Sequence, residues 1–563
     1  MSGYDGRLEL TWTNKHLRLL AHEDGRYEWV PPSDYRVAEV RLLDDVTTVG
    51  AVSADRAQDN LLIRGDALNA LRSLARLPEF ASEYLGKVKL AYLDPPFNTQ
   101  QSFLQYDDAL EHSVWLTMMR DRISQILELL HPTDGSLWVH LDDDEMAYCK
   151  VLLDEIVGRQ NFVTTIVWEK APGAKGDTDI ADSHDFLLVY AKDRSRWKQV
   201  RNLLERTESQ TGRYANPDND ARGPWRQGAD GTAKSGSEEN RWPITTPSGR
   251  VVQPAAGRYW AFSRETLENA LAQKRVWFGK RGDSMPIIKT YLETAKPGVV
   301  PTSWWPNSEV GSNQEAKRDH LNKMFPGIVP FATPKPERLM RRIIHIASSP
   351  SDIVLDCFAG SGTTATVAHK MGRRWAVIER EAATLQTFTV PRLTRVVNGS
   401  DPWGITKSSE WEGGGGFRVL DVAPSMFDAD GGMVFLADWM TNGKLAEATA
   451  AQLGFEYEVA PPFVGRKGRT RLAVVDGVVN EAVVRILVSA LPERERVVVC
   501  GTGIDTDARP ILRELRPGST LRKIPAALLD EYRSSRQLRL DLGDVPEATD
   551  GVTSVTAAAE VTA

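Results

Sequence analysis

Residues 88–97 read Val88-Lys89-Leu90-Ala91-Tyr92-Leu93 followed by Asp94-Pro95-Pro96-Phe97. The first six residues predict a short buried β-strand. The two prolines fix φ and stiffen the loop after it. Asp94 and the Pro95 carbonyl can each accept a hydrogen bond, and Phe97 offers a face for stacking. The loop can therefore hold a flat ring that carries an amino group, although a strand with a plain Pro-Pro turn fits these four residues equally well.

The sequence on both sides of this strand alternates between strand and helix patterns. Strands are predicted from Asn60, at 135–140 and at 163–168, and helices at 67–77 and 115–130. Such alternation predicts a mostly parallel, doubly wound, Rossmann-like α/β sheet.

A second α/β segment carries a glycine turn between a strand and a helix. Ile353-Val354-Leu355-Asp356 predicts a short buried strand, and the turn continues as Phe358-Ala359-Gly360-Ser361-Gly362-Thr363-Thr364-Ala365. Glycines there let a ligand approach the backbone, and Glu379, at the end of the next predicted strand, suits ribose hydroxyls. A helix-capping turn with a surface glutamate remains an alternative, and so does an oxidoreductase that binds NAD at this turn.

The composition limits the classes of protein to which the chain can belong. At 563 residues the chain predicts two to four domains. We find no apolar stretch long enough for a bilayer and no signal sequence, so we expect a soluble, cytoplasmic protein without membrane contact. Three separate cysteines and nine scattered histidines argue against a disulfide scaffold and a metal site. With a net charge of −7, any contact with nucleic acid needs a local positive patch.

The changes in pattern divide the chain into seven parts. We expect an N-terminal extension at 1–50, a first α/β half at 51–195, an irregular inserted domain at 196–320 and a second α/β half at 321–412. A Gly-rich linker at 413–428, a smaller C-terminal α/β domain at 429–543 and a disordered tail at 544–563 follow.

Three motifs together resemble the amino-methylating DNA methyltransferases of the β arrangement. These are Asp94-Pro95-Pro96-Phe97, the Phe358–Thr364 turn, and Thr333-Pro334-Lys335-Pro336-Glu337-Arg338-Leu339 between them. In that family the catalytic half precedes the cofactor half, and target recognition lies between, as residues 196–320 do here. Strings at 8–12, 140–145 and 413–419 further resemble the modification subunits of Type III restriction systems. The resemblance covers roughly residues 1–430.

The resemblance implies a methyltransferase sheet that uses S-adenosylmethionine as the methyl donor. Asp94 and the Pro95 carbonyl would orient the target amine, Pro96 would stiffen the loop, and Phe97 would stack on a flipped base. Glu379 would bind ribose and Asp66 the adenosyl end, with Lys335 and Pro336 near the same pocket. The methionine portion would lie against the loop formed by Asp356, Phe358, Ala359, Gly360, Ser361, Gly362, Thr363 and Thr364.

The resemblance favours adenine N6 in double-stranded DNA as the target, within a restriction-modification or related defence system. An Asp in the first position of the tetrapeptide is typical of adenine enzymes, whereas cytosine N4 enzymes, the nearest alternative, more often carry Ser. Cytosine C5 chemistry needs a cysteine nucleophile, usually after a proline, and no cysteine here follows one. A DNA-binding subunit without activity is a further alternative. Candidate partners are a second copy of the chain and a restriction subunit with nuclease or helicase activity.

Overall fold

The structure is a computed structural model of the chain. It describes residues 9–22, 26–98, 111–173, 179–227, 231–329, 331–430 and 433–524, together with 526 and 528. The predicted tail at 544–563 and the last part of the predicted C-terminal domain lie outside the described residues.

A ten-stranded sheet forms the centre of the fold. We number its strands in chain order: β1 Leu43–Gly50, β2 Asn60–Arg64, β3 Val88–Leu93, β4 Ser136–Leu141, β5 Phe162–Glu169, β6 His184–Ala191, β7 Trp304–Trp305, β8 Ile353–Asp356, β9 Arg374–Glu379 and β10 Gly416–Val422. The spatial order is β7-β5-β6-β4-β3-β8-β9-β2-β10-β1. Strands β4, β3, β8, β9, β2 and β10 run parallel, and β6 and β1 pair antiparallel to their neighbours.

The strand order reverses between β3 and β8. The chain continues from β3 to β4 on one side and from β8 to β9 on the other, while β3 and β8 pair directly, with Leu355 opposite Ala91. In an open parallel sheet, ligands bind outside the carboxyl ends of the strands at such a switch point. The fold therefore predicts a site where Asp94 and Asp356 emerge.

Helices cover both faces of the sheet because alternate strand residues face two apolar cores. Leu61 and Ile63 belong to one core, and Leu62 between them belongs to the other. The first core takes helices Ala67–Arg76, Pro78–Tyr84, His112–Leu129 and Asp143–Leu153; the second takes Glu337–Ala347, Thr363–Lys370 and Val390–Val397. Predicted and observed strands coincide at Val88–Leu93 and Ile353–Asp356. The doubly wound α/β prediction is confirmed.

The sheet includes two segments that the sequence assigns elsewhere. Strand β1 lies in the predicted N-terminal extension, and β10 lies in the predicted Gly-rich linker. Strand β10 pairs with both β2 and β1, so the linker assignment is wrong from Gly416 to Val422. The run of four glycines at 413–416 hid a strand that lies next to the edge of the sheet. Before β1, strands Arg18–Ala21 and Tyr27–Val30 pair as a hairpin, and helix Tyr35–Ala38 follows.

The inserted segment is irregular, as its composition predicts, and has a small core of its own. Leu204 and Val299 pair antiparallel and close its base. Its short strands and helices are Glu208–Thr211, Trp225–Gln227, Thr232–Ala233, Ile244–Thr245, Val251–Val252, Tyr259–Trp260, Arg264–Ala272, Val276–Trp277 and Ile287–Tyr291. Trp242 and Trp260 lie in its core with Ile244, Val252 and Leu267. The chain then rejoins the central sheet at β7 and passes through helical turns Asn307–Val310, Glu315–Leu321 and Asn322–Met324.

The last described unit is a mixed five-stranded sheet with helices on it. Its strands are Glu456–Ala460, Phe463–Lys467, Thr470–Val479, Arg496–Ile504 and Thr520–Lys523, in that spatial order. Helices Asn442–Leu453, Glu481–Ala490 and Ala508–Leu515 accompany it, and the hairpin Phe427–Asp430 with Met433–Leu436 precedes it. Among the described helices, none is long and apolar enough to cross a membrane.

Candidate active site at the switch point of the sheet

A cavity of about 730 Å³ opens at the switch point. Its wall contains Asp94 to Phe97, which follow β3, and the run from Asp356, the last residue of β8, to Ser361. The paired register of β3 and β8 brings these two loops together. Asp94 and the Gly360 turn therefore line the same cavity.

The loop after β3 is fixed by two hydrogen bonds at its far end. The Trp115 indole Nε1 donates to the Pro96 carbonyl at 2.7 Å. Asn98, which has a positive φ of 63°, donates from Nδ2 to Glu145 Oε1 at 2.7 Å. Within the described part of the chain, the Pro95 carbonyl accepts no hydrogen bond. The loop is thus held through Pro96 and Asn98, while the carbonyl before them is left for a ligand.

Lys335 contacts this loop. Its Nζ lies 2.8 Å from each carboxylate oxygen of Asp94 and donates in hydrogen-bond geometry to Oδ2. Asp94 Oδ1 is buried without a hydrogen-bond partner among the described residues. The same Nζ lies 4.9 Å from the centroid of the Phe97 ring. Lys335, predicted to lie near the cofactor, therefore contacts Asp94 and Phe97 of the tetrapeptide.

A buried polar network supports the loop from β4 and β6. Tyr92 Oη lies 2.9 Å from His140 Nδ1, and His140 Nε2 lies 3.2 Å from Asp185 Oδ2. Burial, followed by the charge of Lys335, lowers the pKa of His140. Burial alone would raise the pKa of Asp185, but the hydrogen bond with His140 and the charges of His140, Lys170 and Lys335 lower it to about 2. His140 packs 5.8 Å from Phe97, ring centroid to ring centroid.

Two glycines shape the turn after β8. Gly360 has a φ of 50°, and its amide donates to Glu379 Oε2 at 2.7 Å. Gly362 has a φ of 78° and lies at the N-terminus of helix Thr363–Lys370, where a Cβ would lie 2.9 Å from Thr389 Cγ2. Glu379 therefore both stabilises the turn and faces the cavity. Glycine is required at 362 because its φ is left-handed and because a Cβ there would clash with Thr389.

Asp356 is a buried carboxylate. Among the described residues, only neutral groups donate hydrogen bonds to it. Its Oδ1 accepts from the Phe358 amide at 2.9 Å, and its Oδ2 accepts from Thr364 Oγ1 at 2.6 Å. Burial raises its pKa to about 7, and the charges of Asp94 and Glu379 act in the same direction. A cationic group bound beside it would favour the ionised form.

The opposite end of the cavity is built by the N-terminal half. Asp66 caps helix Ala67–Arg76 by accepting from the Leu68 amide, and it accepts from buried Arg122 at 2.8 Å. Tyr27 of the N-terminal hairpin also lines the cavity, with the Arg380 guanidinium 5.8 Å from its ring centroid. Sequence reasoning missed Tyr27, Arg122 and Arg380, because nothing in their local patterns connects them to the two loops.

Most of the predicted site residues lie in the wall of this one cavity. They are Asp66, Asp94, Pro95, Pro96, Phe97, Lys335, Asp356, Phe358, Ala359, Gly360, Ser361, Thr363, Thr364 and Glu379. Gly362 and Pro336 are not in that wall: Gly362 faces Thr389, and Pro336 is buried at the start of helix Glu337–Ala347. The wall also contains Asp142, directly after β4, whose pKa burial raises to about 7. Its position at a strand end is the signal that could have identified it.

A separate buried cluster contains His320, Glu337 and Asp401, whose ligand atoms lie within 4.8 Å of one another. Lys370 Nζ lies 2.6 Å from Asp401 and 2.9 Å from Glu337, and Arg392 donates to Glu337 at 2.9 Å. Two side-chain cations therefore occupy the centre of this cluster, which we interpret as a buried ion network that joins helices behind the site.

The chain also matches known proteins in sequence. It is 30% identical over 345 residues to the Mod subunit of the type III restriction-modification enzyme StyLTI from Salmonella typhimurium, covering 56% of this chain and 50% of that protein. It is 26% identical over 434 residues to the EcoP15I Mod subunit from Escherichia coli, covering 65% and 62%. It is 28% identical over 330 residues to the type II methyltransferase M.EcaI from Enterobacter cloacae, covering 56% and 66%.

The similarity to these relatives covers only part of each protein. The chain spans about half to three fifths of the length of the type III relatives. A DNA methylase family model for N6 and N4 methylation matches residues 88–389, which run from β3 past the glycine turn and enclose the inserted segment. Because this match covers more than half of the sequence, the chain belongs to the N6/N4 DNA methylase family.

Proposed function

We propose that the chain transfers a methyl group from S-adenosylmethionine to adenine N6 in double-stranded DNA, as part of a restriction-modification or related defence system. The observation that carries the proposal is the meeting of Asp94 and Asp356 at one cavity, on adjacent parallel strands. Membership of the family and the modification subunits among its relatives support this activity. They also make an NAD oxidoreductase a poor alternative.

The residues of the cavity fit the proposed donor. Bound S-adenosylmethionine would supply a methyl group on a cationic sulfur, and Asp356 is a buried carboxylate without a cationic partner among its described contacts. Glu379 has both oxygens bonded to backbone amides, of Gly360 and Glu381, so its remaining lone pairs can accept from ribose hydroxyls. Asp66 and Tyr27 would border the adenosyl end.

The loop after β3 fits an exocyclic amine. Such an amine has two N–H donors. Asp94 Oδ1, which is in ion-pair contact with Lys335, and the Pro95 carbonyl are two acceptors that take no hydrogen bond within the described chain. Accepting both protons aims the nitrogen lone pair at the donor, and positioning of this kind supplies much of the acceleration. The Phe97 ring would stack on the base. The amine then loses its proton to solvent or to a nearby acceptor.

The inserted segment supports a nucleic-acid substrate through its charge. Residues 196–320 contain 20 Lys and Arg and 14 Asp and Glu, a local net charge of +6 in a chain of net charge −7. Enzymes that modify a base take it out of the duplex stack, so the target adenine would rotate out into the cavity, at a cost of a few kcal/mol. Asn313 and Gln314, near the end of this segment, lie in the cavity wall.

Other parts of the proposal rest on the relatives. Because the relatives include Mod subunits of restriction-modification enzymes, we extend it to a separate restriction subunit as a partner. A homodimer stays a prediction. A cytoplasmic location also stays a prediction.

Nucleoside mass spectrometry tests the activity. DNA from a methylation-free host, treated with the purified chain and S-adenosylmethionine, should contain N6-methyladenine. Detection of N4-methylcytosine instead would show that the target base is cytosine and not adenine. Full DNA affinity without either product, at high enzyme and donor concentrations, would identify a DNA-binding subunit and contradict the proposal.

A further inference from the structure

Lys335 lies where the two halves of the site meet. Its side chain is 5% exposed, and its Nζ contacts Asp94 at 2.8 Å and the Phe97 ring at 4.9 Å. The charge of the same ammonium acts on buried His140 and Asp185. Lys335 is therefore on the side of the cavity that faces the target base, although it comes from the second half of the chain.

The backbone around Lys335 is built to hold it still. Pro334 precedes it and Pro336 follows it, so φ is fixed on both sides and Lys335 itself is restricted to extended conformations. Helix Glu337–Ala347 begins directly afterwards, and its buried face anchors the segment in the second core. Asp94 is held in a matching way, between β3 and two prolines. Two stiff segments thus meet where Lys335 contacts Asp94 and Phe97.

The geometry of this pair leaves one acceptor for a substrate. Nζ is equally distant from both carboxylate oxygens, but only Oδ2 accepts in hydrogen-bond geometry, and Oδ1 has no hydrogen-bond partner among the described residues. A carboxylate without such a brace could rotate about its Cβ–Cγ bond, since terminal torsions of this kind are broad. Braced at Oδ2, the group presents Oδ1 in one orientation.

We propose that Lys335 is a positioning residue that holds Asp94 through Oδ2 and leaves Oδ1 to accept the N–H of the target amine. This inference rests on the proposed function. It assigns Lys335 to orientation of the target and not to binding of the methyl donor, in contrast to what its motif implied in the sequence. The two roles differ in a measurable way, because a donor-binding lysine sets donor affinity and a lysine that orients Asp94 sets the rate of transfer.

The test compares Lys335→Met, Lys335→Arg and Lys89→Met with the wild-type chain. Lys89→Met is the matched control, because Lys89 makes an ion pair of the same 2.8 Å length, with Asp134, at the opposite end of the strand that leads to Asp94. Two quantities are measured: the Kd for S-adenosylmethionine by calorimetry, and the single-turnover rate of tritiated methyl transfer to unmethylated genomic DNA.

For Lys335→Met we expect a rate at least about 100-fold below wild type, with the donor Kd within about threefold. Lys335→Arg keeps a charged donor, and its rate should be at least about tenfold above that of Lys335→Met. Lys89→Met should have the wild-type rate and donor Kd. A donor Kd that rises in parallel with the loss of rate, an unaffected rate, or no recovery in the arginine variant would overturn the role of Lys335. A wild-type chain that binds the donor and transfers nothing would overturn the proposed function instead.

Discussion

At the scale of single residues, Asp94 carries the proposed chemistry. Asp94→Ala removes the Oδ1 acceptor and leaves Lys335 without its partner, but it leaves the Asp356 loop and Glu379 in place. We expect methyl transfer to fall by at least about 1,000-fold, with the affinity for S-adenosylmethionine nearly unchanged. Transfer of tritiated methyl groups and calorimetry check the two halves of this expectation. Substantial residual turnover would mean that Asp94 is not the acceptor for the amine.

Asp356 gives the donor site a pH dependence. Its pKa is raised to about 7 by burial, so in the free protein it is protonated at pH 6 and ionised at pH 8. A cationic donor binds the ionised form better, and its affinity should therefore fall as the pH drops below about 7, by up to about tenfold per pH unit, and level off above it. The same shift means that the folded state binds this proton more tightly than the unfolded chain. Asp356 thus lowers the free energy of unfolding as the pH rises from about 4 to about 7.

Calorimetric titrations with S-adenosylmethionine between pH 5.5 and 8.5 measure this dependence. Asp356→Asn should remove most of it. Asp142→Asn is the control, because Asp142 has the same pKa of about 7 and lines the same cavity after β4. If Asp142→Asn loses the pH dependence and Asp356→Asn keeps it, the titrating group is Asp142 and the prediction for Asp356 is wrong.

Local sequence predicted the residues of the two loops but not their contacts. Asp94 and Gly360 follow recognisable strands, and one register between β3 and β8 brings them together. The pairing of Lys335 with Asp94 spans 241 positions in the chain and depends on how the helix at 337–347 packs. Tyr27 and Arg122 were missed for the same reason, because a wall made by distant elements leaves no periodic signal.

At the scale of elements, the glycine turn depends on Gly362 for conformation and space. Gly362→Ala should lower the free energy of unfolding by about 1–2 kcal/mol for the left-handed φ alone. It should cost more because its Cβ would lie 2.9 Å from Thr389. Gly372, at the other end of the same helix, is the matched control: its φ is 70°, and a Cβ there would meet no described atom within 4 Å. Denaturant unfolding of both variants isolates the contact with Thr389, and equal losses would contradict it.

The N-terminal hairpin is the second element that the site needs. Tyr27 brings an aromatic ring into the cavity wall from outside the range of the family match. Tyr27→Ala should weaken binding of S-adenosylmethionine by about fivefold, since an aromatic contact with a ring contributes on the order of 1 kcal/mol. Tyr27→Phe keeps the ring and should bind nearly as wild type. Calorimetry on both variants checks this, and equal affinities for Tyr27→Ala and wild type would remove the hairpin from the site.

Alternation of strand and helix patterns predicted the parallel centre of the sheet well. It failed at one border of the sheet, at the edge strand β1 and at its neighbour β10. Strand β1 reads as polar because five of its eight residues are exposed at the border of the sheet, and β10 begins with a glycine. Edge strands bury only part of their side chains, so their sequences carry less of the hydrophobic pattern that identifies a central strand.

At the scale of the whole molecule, the question is which side chains of the positively charged inserted segment can contact DNA. Three tryptophans of the inserted segment lie in its interior and cannot contact DNA: Trp225, Trp242 and Trp260 are 3–9% exposed. Arg222 is exposed, but its guanidinium already donates to Asp220 and to two backbone carbonyls. The cations left for phosphate contact are exposed ones such as Lys280 and Arg281 in the turn after Val276–Trp277.

Lys280→Ala combined with Arg281→Ala should therefore weaken DNA binding and reduce its dependence on salt. If each side chain neutralises one phosphate, the slope of log K against log salt concentration falls by about two. The control removes the same two charges elsewhere, as Arg485→Ala with Arg509→Ala on exposed helices of the C-terminal unit. Equilibrium binding to a duplex at several salt concentrations measures both slopes. Equal changes in the two double variants would mean that net charge alone governs binding, and no change in either would move the DNA surface away from this turn.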